Sequence, residues 1–196
     1  LDTAQHQRRA VHLDLTGEAA RRTPGVAPAP AAAPAAAPDI GDALALLGAA
    51  KRPVLVAGLE AAEPAAAAAL RALAEALQAP VLVTYKAKGV LPDAHPLHAG
   101  IFTGGTLEAP CVTAADLIVT IGLDPVELIL QPWRYRAPVL DVALRPHPVR
   151  YVDPTAALHG ALAGSLAKLA GVARRSDWGA AEIAGYRDAA LAALAW

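Results

Sequence analysis

Four short runs of the chain are almost unbroken in apolar residues: PVLVAG (53–58), PVLVT (80–84), DLIVTIG (116–122) and PVLDVA (138–143). Each is too short for a helix and rich in β-branched residues, the pattern of a strand buried on both faces. VRYV (149–152) reads as a further strand. Between these runs the apolar spacing changes to that of a helix. Asp39 is placed as an N-cap ahead of Ile40, Leu44 and Leu47. Residues 64–78 put Pro64 in the first turn, Leu70, Leu73 and Leu77 on one face, and Arg71 and Glu75 at i,i+4 on another. Residues 107–115, 125–131 and 154–170 read as helices, the last with Leu158, Leu162, Leu166 and Leu169 in one stripe. A final helix over 177–195 turns Ile183, Tyr186, Ala190 and Leu194 inward.

Alternating strands and helices with uniformly apolar strands predict an α/β chain. The expected form is a doubly wound, Rossmann-like parallel sheet of about five or six strands with helices on both faces. Strands 53–58, 80–84 and 116–121 form its centre, all parallel. Right-handed crossovers then bring the strand C-terminal ends to one edge, where such sheets take ligands. The loops 58–63, 85–91, 122–124 and 143–148 meet there.

The N-terminal part breaks this rhythm. AVHLDL (10–15) alternates like a short strand, and VAPAPAAAPAAAP (26–38) cuts it off. Proline every few residues forbids a regular helix, so this run reads as a semi-rigid linker. The resulting division is 1–25 as the tail of a preceding domain and 26–38 as an Ala/Pro linker. Residues 39–172 form the α/β domain, and 173–196 a C-terminal helix or the start of a further linker. The chain opens on Leu1-Asp2-Thr3 and contains no Met, which reads as a piece of a longer protein.

Composition narrows the function. Hydrophobic residues at 55% against 18% charged suit one sizeable core. A formal net charge of −1 offers no basic surface for nucleic acid, and no apolar run is long enough to span a bilayer. Cys111 is the sole cysteine, so no disulfide forms within the chain, and a reducing, cytoplasmic compartment is expected.

Candidate chemistry gathers at the strand ends. Gly58, Gly122 and Asp124 are the candidates for holding a cofactor, because ligand phosphates approach backbone amides at such turns. Glu60 and Glu63 follow Gly58 closely and would repel a phosphate. Asp124, Pro125 and Glu127 read as a capping box that fills the helix end with its own carboxylates. Lys86 and Lys88 are candidates for guiding an anionic substrate to the edge, or else are solvated loop charges. His95 and His98 form an HxxH pair with Asp93 nearby, read as a polar loop rather than a metal site because Pro96 disfavours a helical placement, and Cys111 reads as core packing. The two serines, Ser165 and Ser176, lie in no nucleophile elbow. Trp133 and Tyr135 pack under the edge or form an interface. No catalytic residue and no metal site is assigned.

The order of these pieces resembles the central domain of thiamine diphosphate-dependent enzymes of the acetolactate synthase and benzoylformate decarboxylase group. KRPVLVAG resembles the family's first central strand, APVLVTYKAKGVLPDAHPLHAG its second strand and following segment, and AADLIVTIGLD its third. AVHLDLTGEAA resembles the end of the preceding pyrimidine-binding domain, with Thr16 where a proline is usual. The resemblance covers most of residues 10–170. It implies a non-catalytic scaffold in a parent decarboxylase, carboligase or oxidase acting on a 2-keto acid or related substrate. Thiamine diphosphate and magnesium would be held by pyrimidine and diphosphate domains, the partners of this one, in a homo-oligomer. Thr84–Gly100 would be a connector facing the active-site side. The family's flavin-binding members carry an Arg soon after the third strand's glycine and an acidic end to the next strand. Here Leu123-Asp124-Pro125 and LDVALRPHP stand in those places, which argues against FAD or ADP. The Gly-Asp-Gly motif followed by Asn is missing: the chain has no Asn, and Gly41-Asp42-Ala43 follows the linker rather than a strand. The second reading is an independent Rossmann-like small-molecule or nucleotide-binding module.

Overall fold

The apolar runs become the strands of a six-stranded sheet in which every pairing is parallel. The structure is a computed structural model that describes residues 40–124, 127–128, 132–147 and 150–194. Chain order is α1 (Ile40–Ala49), β1 (Pro53–Ala57), α2 (Pro64–Leu77), β2 (Val81–Val83), β3 (His98–Ile101) and α3 (Ala109–Thr113). Then follow β4 (Leu117–Ile121), β5 (Val139–Ala143), β6 (Ala156–His159), α4 (Leu162–Ala170) and α5 (Ala180–Leu194). The spatial order β3-β2-β1-β4-β5-β6 winds outward in both directions from β1, so the chain reverses between β1 and β4. A crevice opens at the carboxyl ends of strands where such a reversal occurs.

Unbroken apolar sequence is what the centre of this sheet requires. All five residues of β1 and of β4 are buried, and they pair from Pro53↔Leu117 to Ala57↔Ile121. Helices α2 and α4 pack on each other, with α1 against α4. Helix α5 lies over β3 and against α3, so helices cover both faces. Helix α2 buries Leu70, Leu73 and Leu77, each contributing about 1.5–3 kcal/mol of transfer free energy. The Glu63 carboxylate caps it by accepting the Ala66 N–H at 2.9 Å. Gln78 ends it in the left-handed region at φ 51°.

The strand amino ends are tied separately. Asp116 accepts the N–H groups of Lys51 and Arg52, both at 2.8 Å. The Arg52 guanidinium stacks 3.8 Å from the centroid of Trp178 and pairs with Glu182 at 2.6 Å. Trp178 Nε1–H donates to the Pro53 carbonyl at 2.8 Å, anchoring the entry to α5 beside β1.

The outer strands depart from the sequence reading. Residues 150–152 form no strand; Tyr151 turns in and its hydroxyl accepts the Leu128 N–H at 3.1 Å. The sixth strand is Ala156–His159, inside the stretch read as helix 154–170. Gly160 explains the error. Its φ of +139° has no place in a helix, so α4 starts only at Leu162. His98–Ile101, read as the end of a connector, is edge strand β3, with a register irregularity opposite Val81/Leu82. The helix expected over 107–115 shrinks to Ala109–Thr113. Of the expected helix 125–131, the described Glu127 and Leu128 are not helical, and the rest lies outside the described residues. Residues 1–39, including the AVHLDL strand, the linker and the Asp39 cap, also lie outside them. Glu75 pairs with His95 at 3.3 Å rather than with Arg71.

Candidate functional site at the carboxyl edge of the sheet

The loops leaving β1, β2 and β4 are held by one carboxylate. Glu127 Oε1 accepts the N–H of Leu59 and the N–H of Asp124, each at 2.7 Å. Its Oε2 accepts the hydroxyl of Thr84 at 2.5 Å. The Asp124 bond is the reciprocal half of the capping box foreseen in the sequence. The two bonds to neighbouring loops are not visible in sequence, because their donors lie 68 and 43 residues away. Free amides at such turns are what a phosphate would use. Here two of them already serve a negative group.

Gly58 and Gly122 are where the close approach needs them. A Cβ on Gly58 would stand 2.5 Å from the Gly122 carbonyl oxygen and from Leu123 Cα, and 2.6 Å from Glu127 Oε1. Gly122 has φ +60°, and a Cβ there would stand 2.7 Å from Glu60 Cβ. These two strand-end candidates therefore pack against each other's loops. The third, Asp124, is half-buried beside them.

A second carboxylate closes the β5 side. Glu60 accepts the Leu144 N–H at 2.8 Å, and its side chain is 7% exposed. His147 Nε2 lies 3.6 Å and Arg145 3.9 Å from it. Farther down, Thr120 donates its hydroxyl to Asp141 at 2.7 Å, and His159 lies 3.7 Å from that carboxylate. The sequence flagged Glu60 as an obstacle to phosphate. It gave no sign that Arg145 and His147 from the β5 side lie beside it.

The lysine pair sits on this same edge. Lys86 lies in a single 3-10 turn, Tyr85–Ala87, capped by Thr84, and Lys88 follows it; both are exposed. Lys88 comes within 4.0 Å of Asp93. Lys86, Lys88 and Asp124 thus all follow carboxyl ends of parallel strands. His95 and His98 do not converge: His95 meets Glu75 on α2, whereas His98 is buried in β3. No cluster of three His, Cys, Asp or Glu able to hold a metal occurs among the described residues. Cys111 is buried, and desolvation pushes its thiol up to about 12. Trp133 and Tyr135 meet edge to face at 5.2 Å and pack beside Phe102, and both remain partly exposed. Burial, with the buried Glu108 nearby, raises the Tyr135 phenol to about 12.

Comparison with known proteins agrees with this frame. The family described as "Thiamine pyrophosphate enzyme, central domain" matches residues 40–169. Sulfoacetaldehyde acetyltransferase of Roseovarius nubinhibens is 30% identical over 125 residues, 60% of this chain and 21% of that protein. The acetolactate synthase isozyme 1 large subunit of Escherichia coli is 40% identical over 85 residues, 42% of this chain and 15% of that protein. A solved structure from Mycobacterium smegmatis, described as a thiamin diphosphate-dependent enzyme, superposes with a TM-score of 0.57 at 26% identity. It covers 73% of this chain and 29% of its own. The chain therefore spans about a fifth or less of the curated relatives it matches.

Proposed function

The chain belongs to the thiamine pyrophosphate enzyme central-domain family, and we propose that it is the non-catalytic middle domain of an enzyme acting on a 2-keto acid or related substrate. In this reading residues 1–25 end a pyrimidine-binding domain, 26–38 link it to the sheet, and 39–172 are the scaffold. Residues 173–196 lead toward a diphosphate-binding domain. Those two domains are its partners in a cytoplasmic homo-oligomer, and they hold thiamine diphosphate with magnesium. Lys86 and Lys88, exposed at the carboxyl edge, draw the anionic substrate toward the shared cleft.

One observation carries the non-catalytic part. The place where a Rossmann-like sheet would take a diphosphate is filled from within, by Glu127 on the Leu59 and Asp124 amides and by Glu60 under β5. A diphosphate or a flavin would face two carboxylates there. The residues present do not fit that group, and no step of catalysis is assigned to them.

Calorimetric titration of the chain with thiamine diphosphate and magnesium is expected to show no saturable heat at about millimolar cofactor. A micromolar isotherm would overturn the reading.

A further inference from the structure

Helix α5 closes over the edge strand β3 at a close approach. A Cβ on Gly100 would stand 3.4 Å from the Ala190 Cβ. Gly100, Ile101, Arg187, Ala190 and Leu191 share one groove with His98. His98 is the one polar residue of β3, and its side chain is 7% exposed. Less than 1 Å² of either ring nitrogen meets solvent, and neither nitrogen has a hydrogen-bond partner among the described residues. A neutral imidazole has one N–H and one nitrogen lone pair. Here that lone pair is sealed and unused.

A sealed lone pair takes a proton only when its cover opens. The charges around the ring decide how well the closed form then tolerates it. From the loop before β3 come Asp93, 3.6 Å from Nε2 and beyond hydrogen-bond range, and His95, which meets Glu75 at 3.3 Å. From the turn after β2 comes Lys88, 4.0 Å from Asp93. From α5 comes Arg187, 3.1 Å from Asp188. Strand β2 itself brings only Val81, Leu82 and Val83. Lys88 and Arg187 thus each already answer a carboxylate. An imidazolium would add a positive charge with no counter-charge of its own, in a contact shielded from water. Burial lowers the His98 pKa below 6.5; Asp93 opposes it, and Arg187, His95 and Lys88 add to it.

The polar anchors of α5, Trp178 on Pro53 and Glu182 on Arg52, lie at its start. Its C-terminal half rests on β3 through Gly100 and Ala190, and Leu191 there is 60% exposed. We propose that His98 is a proton-operated latch: the C-terminal half of α5 lifts from β3 to let the imidazole take a proton, so that acidification favours the lifted helix. The sign follows from linkage. A group whose pKa is lowered in the closed form stabilises that form fully above the ordinary 6.5, and less as pH falls toward the lowered value. The inference rests on β3 and α5 and does not depend on the family reading.

The test is amide hydrogen exchange of the full chain, followed by NMR at about pH 7.5 and about pH 5.5, with each rate divided by its unstructured-chain value. Both conditions lie above the 4.5 of an ordinary Glu182 carboxyl. A single helix lifted off its sheet is marginal and exchanges its amides. Protection at Arg187, Ala190 and Leu191 is expected to fall about three- to ten-fold at the lower pH, the effect of one proton taken up on opening. It should stay below that of the β1 amides at both pH values, because the helix opens without the sheet. His98→Phe and His98→Gln each replace the imidazole by a side chain that takes no proton, and should abolish the fall. Unchanged protection in the parent chain, an equal fall in either variant, or α5 amides protected as strongly as those of β1 would overturn the proposal.

Discussion

Glu127 shows how much one side chain can decide at this sheet edge. It gathers donors from three loops, so Glu127→Gln removes charge from all three bonds and puts an amide nitrogen where an acceptor stood. The variant is expected to lose about 1–3 kcal/mol, the cost of leaving partly buried donors unmet, read as a lower midpoint in urea unfolding. Gly58→Ala acts by shape instead. Its new Cβ would stand 2.5 Å from two backbone atoms, neither of which can rotate away, and overpacking of this kind costs about 1–3 kcal/mol. Gly185→Ala is the matched control. Nothing lies within 4 Å of a Cβ there, and the site is inside α5, so the change should stabilise by about 0.5–1 kcal/mol. A Gly58 variant as stable as the parent chain would show that the edge can yield. Cys111, with a thiol pushed up to about 12, should resist alkylation in the folded chain and react once urea unfolds it.

At the scale of elements, α5 depends on contacts near its first turns. Trp178→Ala removes the bond to Pro53 and the surface on which Arg52 stacks. A loss of about 3–5 kcal/mol is expected for a large buried aromatic. The Arg52 hydrogen bond, aided by the Tyr186 hydroxyl and opposed by burial, holds the Glu182 carboxyl below its ordinary 4.5. A group depressed in the folded state stabilises above its unfolded pKa and loses that contribution as pH falls through the folded value. The docking of α5 should therefore weaken below pH 4.5, and Glu182→Gln should flatten that acid limb of the urea midpoint. The legibility of the elements follows the same division between core and edge. Strands β1, β2, β4 and β5 were readable because positions buried on both faces are filled almost wholly by apolar residues, the mutually bonded Thr120 and Asp141 being the exceptions. Strand β6 was not, because an edge strand needs only Leu158 buried, and its alanines continue the leucine spacing of α4. The candidate glycines and Asp124 were legible from their places after strands. The role of Glu127 was not, since hydrogen bonds between distant loops leave no periodicity in sequence.

Over the whole molecule, the sheet is laced at both ends by side chains: Asp116, Arg52 and Trp178 at the amino ends, Glu127 and Glu60 at the carboxyl ends. Its strand pairings are all parallel and join residues far apart in sequence. Such non-local pairing slows folding, and refolding in milliseconds to seconds is expected by stopped flow. His98 adds a second pH dependence. Its folded pKa is lowered, so its contribution is complete above the unfolded value of 6.5 and declines as pH falls toward the folded one. His98→Gln should remove that part of the slope in the urea midpoint. The Glu127 knot has a consequence for how the molecule breathes. Loops that leave different strands ordinarily exchange their amide hydrogens independently, each with its own opening free energy. Here the amides of Leu59 and Asp124 share one acceptor, so neither loop can swing out with its bond intact. Their exchange should report a single common opening, shared in the parent chain and separated into two in Glu127→Gln.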